Sequence, residues 1–433
     1  MDDSKQHIRC EKLIWLTPLI IGCYYAVAVL FSVNFPISDD FSLLDFVTNV
    51  ATSSDPTRDL QWLFAQHNEH RIATTRLVYL LDYWIFHTIN FKRLILIGNL
   101  FQFATFYILI KQLPKKIENR SCILFIFACM FFQFSAAESM LWAMTAVSNY
   151  LILTLTALSL SLLSKNDSRY DILALLASTA GVFTQGNGLL IPPIGIAYLV
   201  SQKRYYSSLI MTAVTIVLLF MYFHGYQTPR PLANPLDAQR NIGMILIFAI
   251  SFTGSALGLG GSHHPLLTHF SLVPTLILGS FIWVITAYSL YKKTYRDGNI
   301  YVWLNIFVIL SAIITATSRI NFGLSQSMVS RYHIYSTLAI ASTTVLLAQL
   351  FELKHVGSRI IGRIYKTTAL SSAAYFVASF SFALYFYLVV YAPARSGDLI
   401  FPDVAQAAMI LDRAEANHIF VPRQVSDMTK SIQ

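Results

Sequence analysis

Long apolar runs constrain this chain more than any other feature of its sequence. They fall near residues 13–33, 94–110, 121–136, 149–164, 171–186, 188–200, 207–225, 270–291, 300–318, 333–351 and 369–391. Most match the roughly 17–23 residues that a helix needs to cross a hydrocarbon core about 30 Å thick. Only 12% of the chain is charged, against about 25% in soluble domains, and the mean hydropathy is +0.55. In lipid every backbone polar group must be paired within its own element, so such runs fold as helices. The expected fold is all-α: a polytopic integral membrane protein with about eleven transmembrane helices. The run 13–33 has no small-residue cleavage site after it and is read as a retained helix, not a signal peptide.

The basic residues set the orientation. With the N-terminus in the cytoplasm, the inner loops are 1–12, 111–120, 165–170, 201–206, 292–299 and 352–368. These short loops hold 18 of the 31 lysines and arginines, as the positive-inside rule requires. The net charge of +9 is thus a topology signal and does not point to nucleic acid. The same assignment puts the loop 34–93 and the tail from Ala392 on the outer side. Residues 1–391 form the expected transmembrane domain and 392–433 a short outer tail. The segment 242–260 is read as re-entrant or lying on the outer surface, because a crossing there would move Lys292, Lys293 and Arg296 outside. The short runs 171–186 and 188–200, joined by Gln185-Gly186-Asn187-Gly188 and followed by Pro192-Pro193, read as interrupted helices lining a cavity. Four cysteines (Cys10, Cys23, Cys122, Cys129) lie in or beside spans or at the N-terminus and suggest neither a disulfide framework nor a zinc motif.

Polarity concentrates in the first outer loop. Asp39 and Asp40 directly follow the first apolar run, and His67-Asn68-Glu69-His70-Arg71 comes about thirty residues later. Either aspartate suits a general base taking a proton from a hydroxyl; Ser38 or Asp39 also suits the N-cap of a helix over 41–50. His67 and His70 at a spacing of three would share a helix face, but no third metal ligand is near. Hydrogen bonding to substrate hydroxyls is the expected role of His67, Asn68, Glu69 and His70, with no metal and no cofactor. Between 74 and 90, Leu77, Leu80, Leu81, Trp84, Ile85 and Ile89 recur at helical spacing, which fits an amphipathic helix in the membrane interface or an ordinary packing helix.

A second polar cluster lies far along the chain. Arg319 ends one span, and Ser330-Arg331-Tyr332 opens the next. Guanidinium forks suit a phosphate, although arginine at a helix end also snorkels to the interface. Glu138, four residues before Trp142, fits a sugar-binding carboxylate beside an aromatic or an interfacial anchor. Walker A, dinucleotide and G-x-S-x-G patterns are absent from the sequence, which argues against a nucleotide as direct donor.

Together, Asp39-Asp40, the 67–71 run, Glu138 with Trp142, and Arg319 with Ser330-Arg331-Tyr332 resemble the GT-C superfamily of integral membrane glycosyltransferases. The likeness is to a bacterial and phage branch that includes the serotype-modifying O-antigen glucosyltransferases. It covers the N-terminal two-thirds of the architecture and the loop near 320–332. The resemblance implies an inverting hexosyltransferase, most simply a glucosyltransferase, using a polyprenyl-phosphate (undecaprenyl-phosphate) sugar. It further implies a periplasmic site on the bacterial inner membrane, acting on a glycan or lipid-linked glycan acceptor such as lipopolysaccharide O-antigen. Asp39 or Asp40 would be the base, and Arg71, Arg319, Arg331 and Tyr332 would hold the lipid phosphate. One departure is the tail: larger members carry a folded domain after the last span, where this chain has about forty residues. The competing expectations are a flippase for lipid-linked saccharide, against which stands the lack of an internal repeat, and an O-antigen polymerase or ligase.

Overall fold

The computed structural model describes residues 12–115, 117, 119–228, 242–258, 265–353, 358–391 and 403–421. The expectations placed on residues 1–11, on 259–260 and on most of the tail (392–402 and 422–433) lie outside them. Helices dominate: α1 (Thr17–Phe31), α2 (Asp40–Thr52), α3 (Pro56–Phe64), α4 (Ala73–Phe86), α5 (Phe91–Lys111), α6 (Arg120–Phe131), α7 (Ala137–Leu141) and α8 (Ala143–Leu163). They continue as α9 (Ser168–Val182), α10 (Ile191–Ser201), α11 (Tyr205–Phe223), α12 (Ile242–Thr253), α13 (Pro265–Tyr291) and α14 (Ile300–Arg319). The last three are α15 (His333–Leu353), α16 (Ser358–Phe386) and α17 (Val404–Ala416). The only strands among the described residues are β1 (Gln66–His67) and β2 (His70–Arg71), paired antiparallel.

Eight helices among the described residues are long and apolar enough to cross a membrane, spanning Leu13–Phe31, Phe91–Lys111, Ala143–Leu163, Tyr205–Phe223, His269–Tyr291, Ile300–Phe322, Ser330–Phe351 and Ile360–Val389. They coincide with eight of the eleven expected runs, and the other three are shorter helices. The expected span 121–136 stops at Phe131, where the backbone leaves the helix and its donors turn to side chains: Phe134 N–H to Ser379 Oγ (3.0 Å) and Ser135 N–H to Gln133 Oε1. Non-helical backbone is tolerated there because this stretch is buried in protein. The expected pair 171–186 and 188–200 is broken as anticipated, between Val182 and Ile191. Gly188 lies so close to Gly181 that a Cβ there would sit 1.8 Å from the Gly181 carbonyl oxygen. The segment at 242 holds only a helix of 12 residues, about 18 Å long. It packs on α13 and α14, with Gly254 and Gly279 at the α12–α13 contact.

The loops sort to two ends. α8 starts beside the first loop and runs to an opposite end, where Gln112 bonds Ser161, Arg204 bonds the Leu163 carbonyl (2.7 Å), Gln202 bonds the Tyr295 carbonyl and Asn299 bonds Gln349. The described parts of the loops 111–120, 201–206 and 292–299 therefore cluster together. The described part of the tail lies at the other end, with the first loop. α17 packs on α2, Arg413 pairs with Asp45, and Ile89 N–H donates to the Ile419 carbonyl (2.7 Å). Cys122 is disulfide-bonded while Cys23 and Cys129 are free, a bridge that the cysteine positions in the sequence do not suggest.

α4 is the amphipathic helix expected at 74–90, and it turns a largely apolar face outward while burying polar groups beside Tyr79 and Leu80. Thr75, Arg76 and Asp82 are buried, while Leu77, Leu81, Trp84 and Ile85 are exposed. An outward apolar face with inward polar groups fits a helix at a lipid interface. The inward groups are paired: Asp82 with Arg93, and Arg76 with the carbonyls of Trp62, Leu63 and Ala65. Burial lowers the Arg76 pKa to about 10.

Candidate functional site

Ser38 has a φ of 50°, and this turn starts α2 one residue after Asp39. The neighbouring carboxylates consequently diverge. Asp40, the first helical residue, is 1% exposed. Its Oδ1 accepts from the Tyr79 hydroxyl (3.0 Å) and the Met144 N–H (2.8 Å), and its Oδ2 accepts from the Ile37 N–H (3.1 Å). Burial raises its pKa to about 7 against the lowering effect of those bonds. Asp40 thus ties the start of α2 to the start of α8. Asp39 occupies the N-cap position but makes no capping bond. Its side chain, 38% exposed, faces a cavity of about 560 Å³.

The 67–71 run is a β-hairpin and not a helical turn. His67 faces His70 across β1 and β2, and Asn68, with a φ of 48°, supplies the left-handed turn residue. The hairpin is held from afar, for Gln66 exchanges hydrogen bonds with the Gln227 backbone (2.6 and 2.9 Å). The spacing of three therefore does not put both histidines on one helix face. Among the described residues no group of three or more His, Cys, Asp or Glu is placed to hold a metal. His67 Nε2 lies 3.8 Å from Asp39 Oδ1. Burial lowers the pKa of both His67 and His70 to about 4, so both are neutral at pH 7. His70 Nδ1 accepts from the Gly186 N–H (3.2 Å), which puts its proton on Nε2, 3.6 Å from Glu69 Oε1. Glycine is needed at 186, since a Cβ there would lie 2.6 Å from His70 Nδ1.

The second cluster closes on the first. Arg319 at the end of α14 pairs with Glu69, 250 residues away in sequence. Arg331 lies 3.7 Å from Glu138. The Arg331 segment is pinned to α7: Ser330 Oγ donates to the Ser135 carbonyl (2.7 Å) and accepts from the Glu138 N–H (3.2 Å), and Ser139 Oγ donates to the Arg331 carbonyl (3.3 Å). Asp39 is within electrostatic reach of both arginines.

Of the residues singled out in the sequence, Asp39, His67, Asn68, Glu69, His70, Trp142, Arg319, Arg331 and Tyr332 line this same cavity. Asp40 lies beneath it, and Glu138 stands behind Arg331. Arg71 does not reach it. Its guanidinium donates to the carbonyls of Phe64 (2.6 Å), Tyr222 (2.6 Å) and His224, which fixes the hairpin to α11 and leaves Arg71 out of the cavity lining. The Gln185–Asn187 break lines the wall as expected. Sequence reading missed Thr145, Ser148 and Asn149, and also Tyr222 and Tyr226. The first three form a polar stripe at i, i+3 and i+4 on a helix that carries no charged residue, a signal that was available.

The chain is thus an all-α, polytopic membrane protein with a half-polar cavity at one end of its helix bundle. No family model and no curated protein matches it.

Proposed function

We propose that this protein is a GT-C-type integral membrane hexosyltransferase, moving a sugar from a polyprenyl-phosphate donor to an O-antigen-like glycan acceptor. The carrying observation is the cavity that joins an uncapped carboxylate, Asp39, to two remote arginines, Arg319 and Arg331. Asp39 takes the proton of the acceptor hydroxyl. That oxygen bonds to the anomeric carbon as its bond to phosphate oxygen breaks on the opposite face, inverting the centre. The electron pair leaves with the polyprenyl phosphate, whose charge Arg319 and Arg331 stabilise. Neutral His67 and His70, with Glu69 and Asn68, orient hydroxyls. In this reading the cavity end is the periplasmic face of a bacterial inner membrane and the basic end is cytoplasmic.

The test is transfer in membranes given labelled undecaprenyl-phosphate sugar and acceptor glycan. A product longer by one labelled residue supports the reading. Label that crosses the bilayer without entering glycan, or enters only as long polymer, overturns it.

A further inference from the structure

The cavity wall carries a second chemistry beside the charged groups. Trp142, Asn149, Gln185 and Asn187 line it and are uncharged. Trp142 is 8% exposed, and its buried Nε1–H has no hydrogen-bond partner among the described residues. Indole donates only, and an unmade buried bond costs about 1–3 kcal/mol. Trp142 lines the cavity, so a ligand acceptor atom that reaches this N–H on binding removes that cost.

Tyr335 orients the two amides of the broken-helix segment. Asn187 Nδ2 donates to the Tyr335 hydroxyl (3.3 Å), which donates to Gln185 Oε1 (3.2 Å). Those bonds leave the Asn187 carbonyl oxygen as an acceptor and the Gln185 amide nitrogen as a donor. Asn149 gives one Nδ2 hydrogen to Ser139 Oγ (3.1 Å) and likewise leaves its carbonyl oxygen as an acceptor. The wall therefore combines donors (Trp142, Gln185) with acceptors (Asn149, Asn187). A phosphate accepts only, so the amide oxygens oppose it. Each hydroxyl of a sugar ring both donates and accepts, which matches the mixed wall.

From this we infer that Trp142, Asn149, Gln185 and Asn187 form the subsite for the ring of the transferred sugar, an uncharged polyol. The phosphate is held separately by Arg319 and Arg331. The assignment rests on the proposed transferase reading and names the sugar-recognising part of that site.

The experiment measures binding of undecaprenyl phosphate and of undecaprenyl-phosphoglucose to the purified full-length chain. Trp142→Phe keeps the ring and removes the N–H. It weakens the glycosylated lipid about tenfold, the worth of one buried hydrogen bond, and leaves bare undecaprenyl phosphate unchanged. Asn187→Ala acts in the same direction and guards against a folding defect peculiar to position 142. Arg331→Gln weakens both lipids. If Trp142→Phe and Asn187→Ala weaken both lipids equally, or neither, the subsite assignment falls while phosphate binding stands. If they select against the glycosylated lipid but wild-type protein transfers no sugar, the transferase reading falls and the subsite stands. If wild-type protein binds neither lipid, both fall.

Discussion

Replacing Asp39 and Asp40 separately by asparagine separates chemistry from architecture at two adjacent residues. Asp39 makes no capping bond and faces the cavity, so Asp39→Asn changes folding stability by less than about 0.5 kcal/mol. As the base it should cost about 10²–10⁴ in transfer rate. Asp40 is the reverse case. An asparagine there still offers Oδ1 to Tyr79 and Met144, but its Nδ2 meets the Ile37 N–H, where Asp40 Oδ2 now accepts at 3.1 Å. One buried donor is left facing another, a loss of about 1–3 kcal/mol. The assays are sugar transfer in membranes and thermal unfolding of the detergent-purified chain followed by fluorescence. Full transfer by Asp39→Asn refutes the base assignment. Unchanged unfolding with abolished transfer in Asp40→Asn refutes the division of labour, because it makes the buried carboxylate the chemical one.

Gly186→Ala drives a Cβ to 2.6 Å from His70 Nδ1 and should cost about 1–3 kcal/mol of stability, measured by the same unfolding assay, with weaker donor binding as the wall moves. Glu69→Gln and Arg319→Gln, combined in a double-mutant cycle, should show a coupling of about 0.5–3 kcal/mol in unfolding free energy, since their contact joins segments 250 residues apart. Arg71→Gln should lower stability while leaving affinity for undecaprenyl phosphate unchanged, because its donors go to backbone carbonyls. The pH dependence of stability follows from opposite shifts. Asp40, raised from 3.8 to about 7, contributes stability that is complete below pH 3.8 and lost as pH rises through about 7. His67 and His70, lowered from 6.5 to about 4, contribute stability complete above pH 6.5 and lost as pH falls through about 4. Above pH 6.5 the histidine effect is flat, so from pH 6.5 upward the wild-type chain should lose stability by about 1 kcal/mol per pH unit at first, the slope dying away above about pH 7 as Asp40 completes its ionisation. Asp40→Asn should lack that slope in a melting-temperature series.

What was legible in the sequence was whatever depends on local composition. The long apolar runs became long helices because hydropathy acts over a window that lies within one element. The helix at 73–86 was visible for the same reason, its apolar residues recurring on one face. The broken helix at 183–190 was announced by its glycines and prolines. Asp39 and Asp40 could not be told apart, because their divergence is decided by the turn at Ser38 and by Met144, 104 residues on. The 67–71 run passed for a helical turn because its hairpin is stabilised by Gln227 and by the Tyr222 and His224 carbonyls, which no local pattern announces. Arg71 looked like a phosphate ligand for the same reason: a guanidinium fits a ring of carbonyls as well as it fits an anion.

The two ion pairs bear on how such a site would receive a phosphate. Glu69 with Arg319 and Glu138 with Arg331 hold both guanidiniums in place before any ligand arrives, which reduces the ordering cost on binding. Neither pair exhausts its arginine. The fork of Arg319 meets Glu69 through one terminal nitrogen, and Arg331 stands 3.7 Å from Glu138, beyond ordinary hydrogen-bond length. Each keeps donors for an incoming oxygen. The carboxylates would also limit affinity for a phosphate, because one entering beside them adds like charge in a partly buried space. Glu138→Gln should therefore tighten binding of bare undecaprenyl phosphate to the purified chain, while slowing transfer if release of that product limits turnover. Weaker binding of the bare lipid by Glu138→Gln would mean that positioning of Arg331 outweighs its neutralisation, and would make Glu138 a positioning residue rather than a counter-ion that restrains the product.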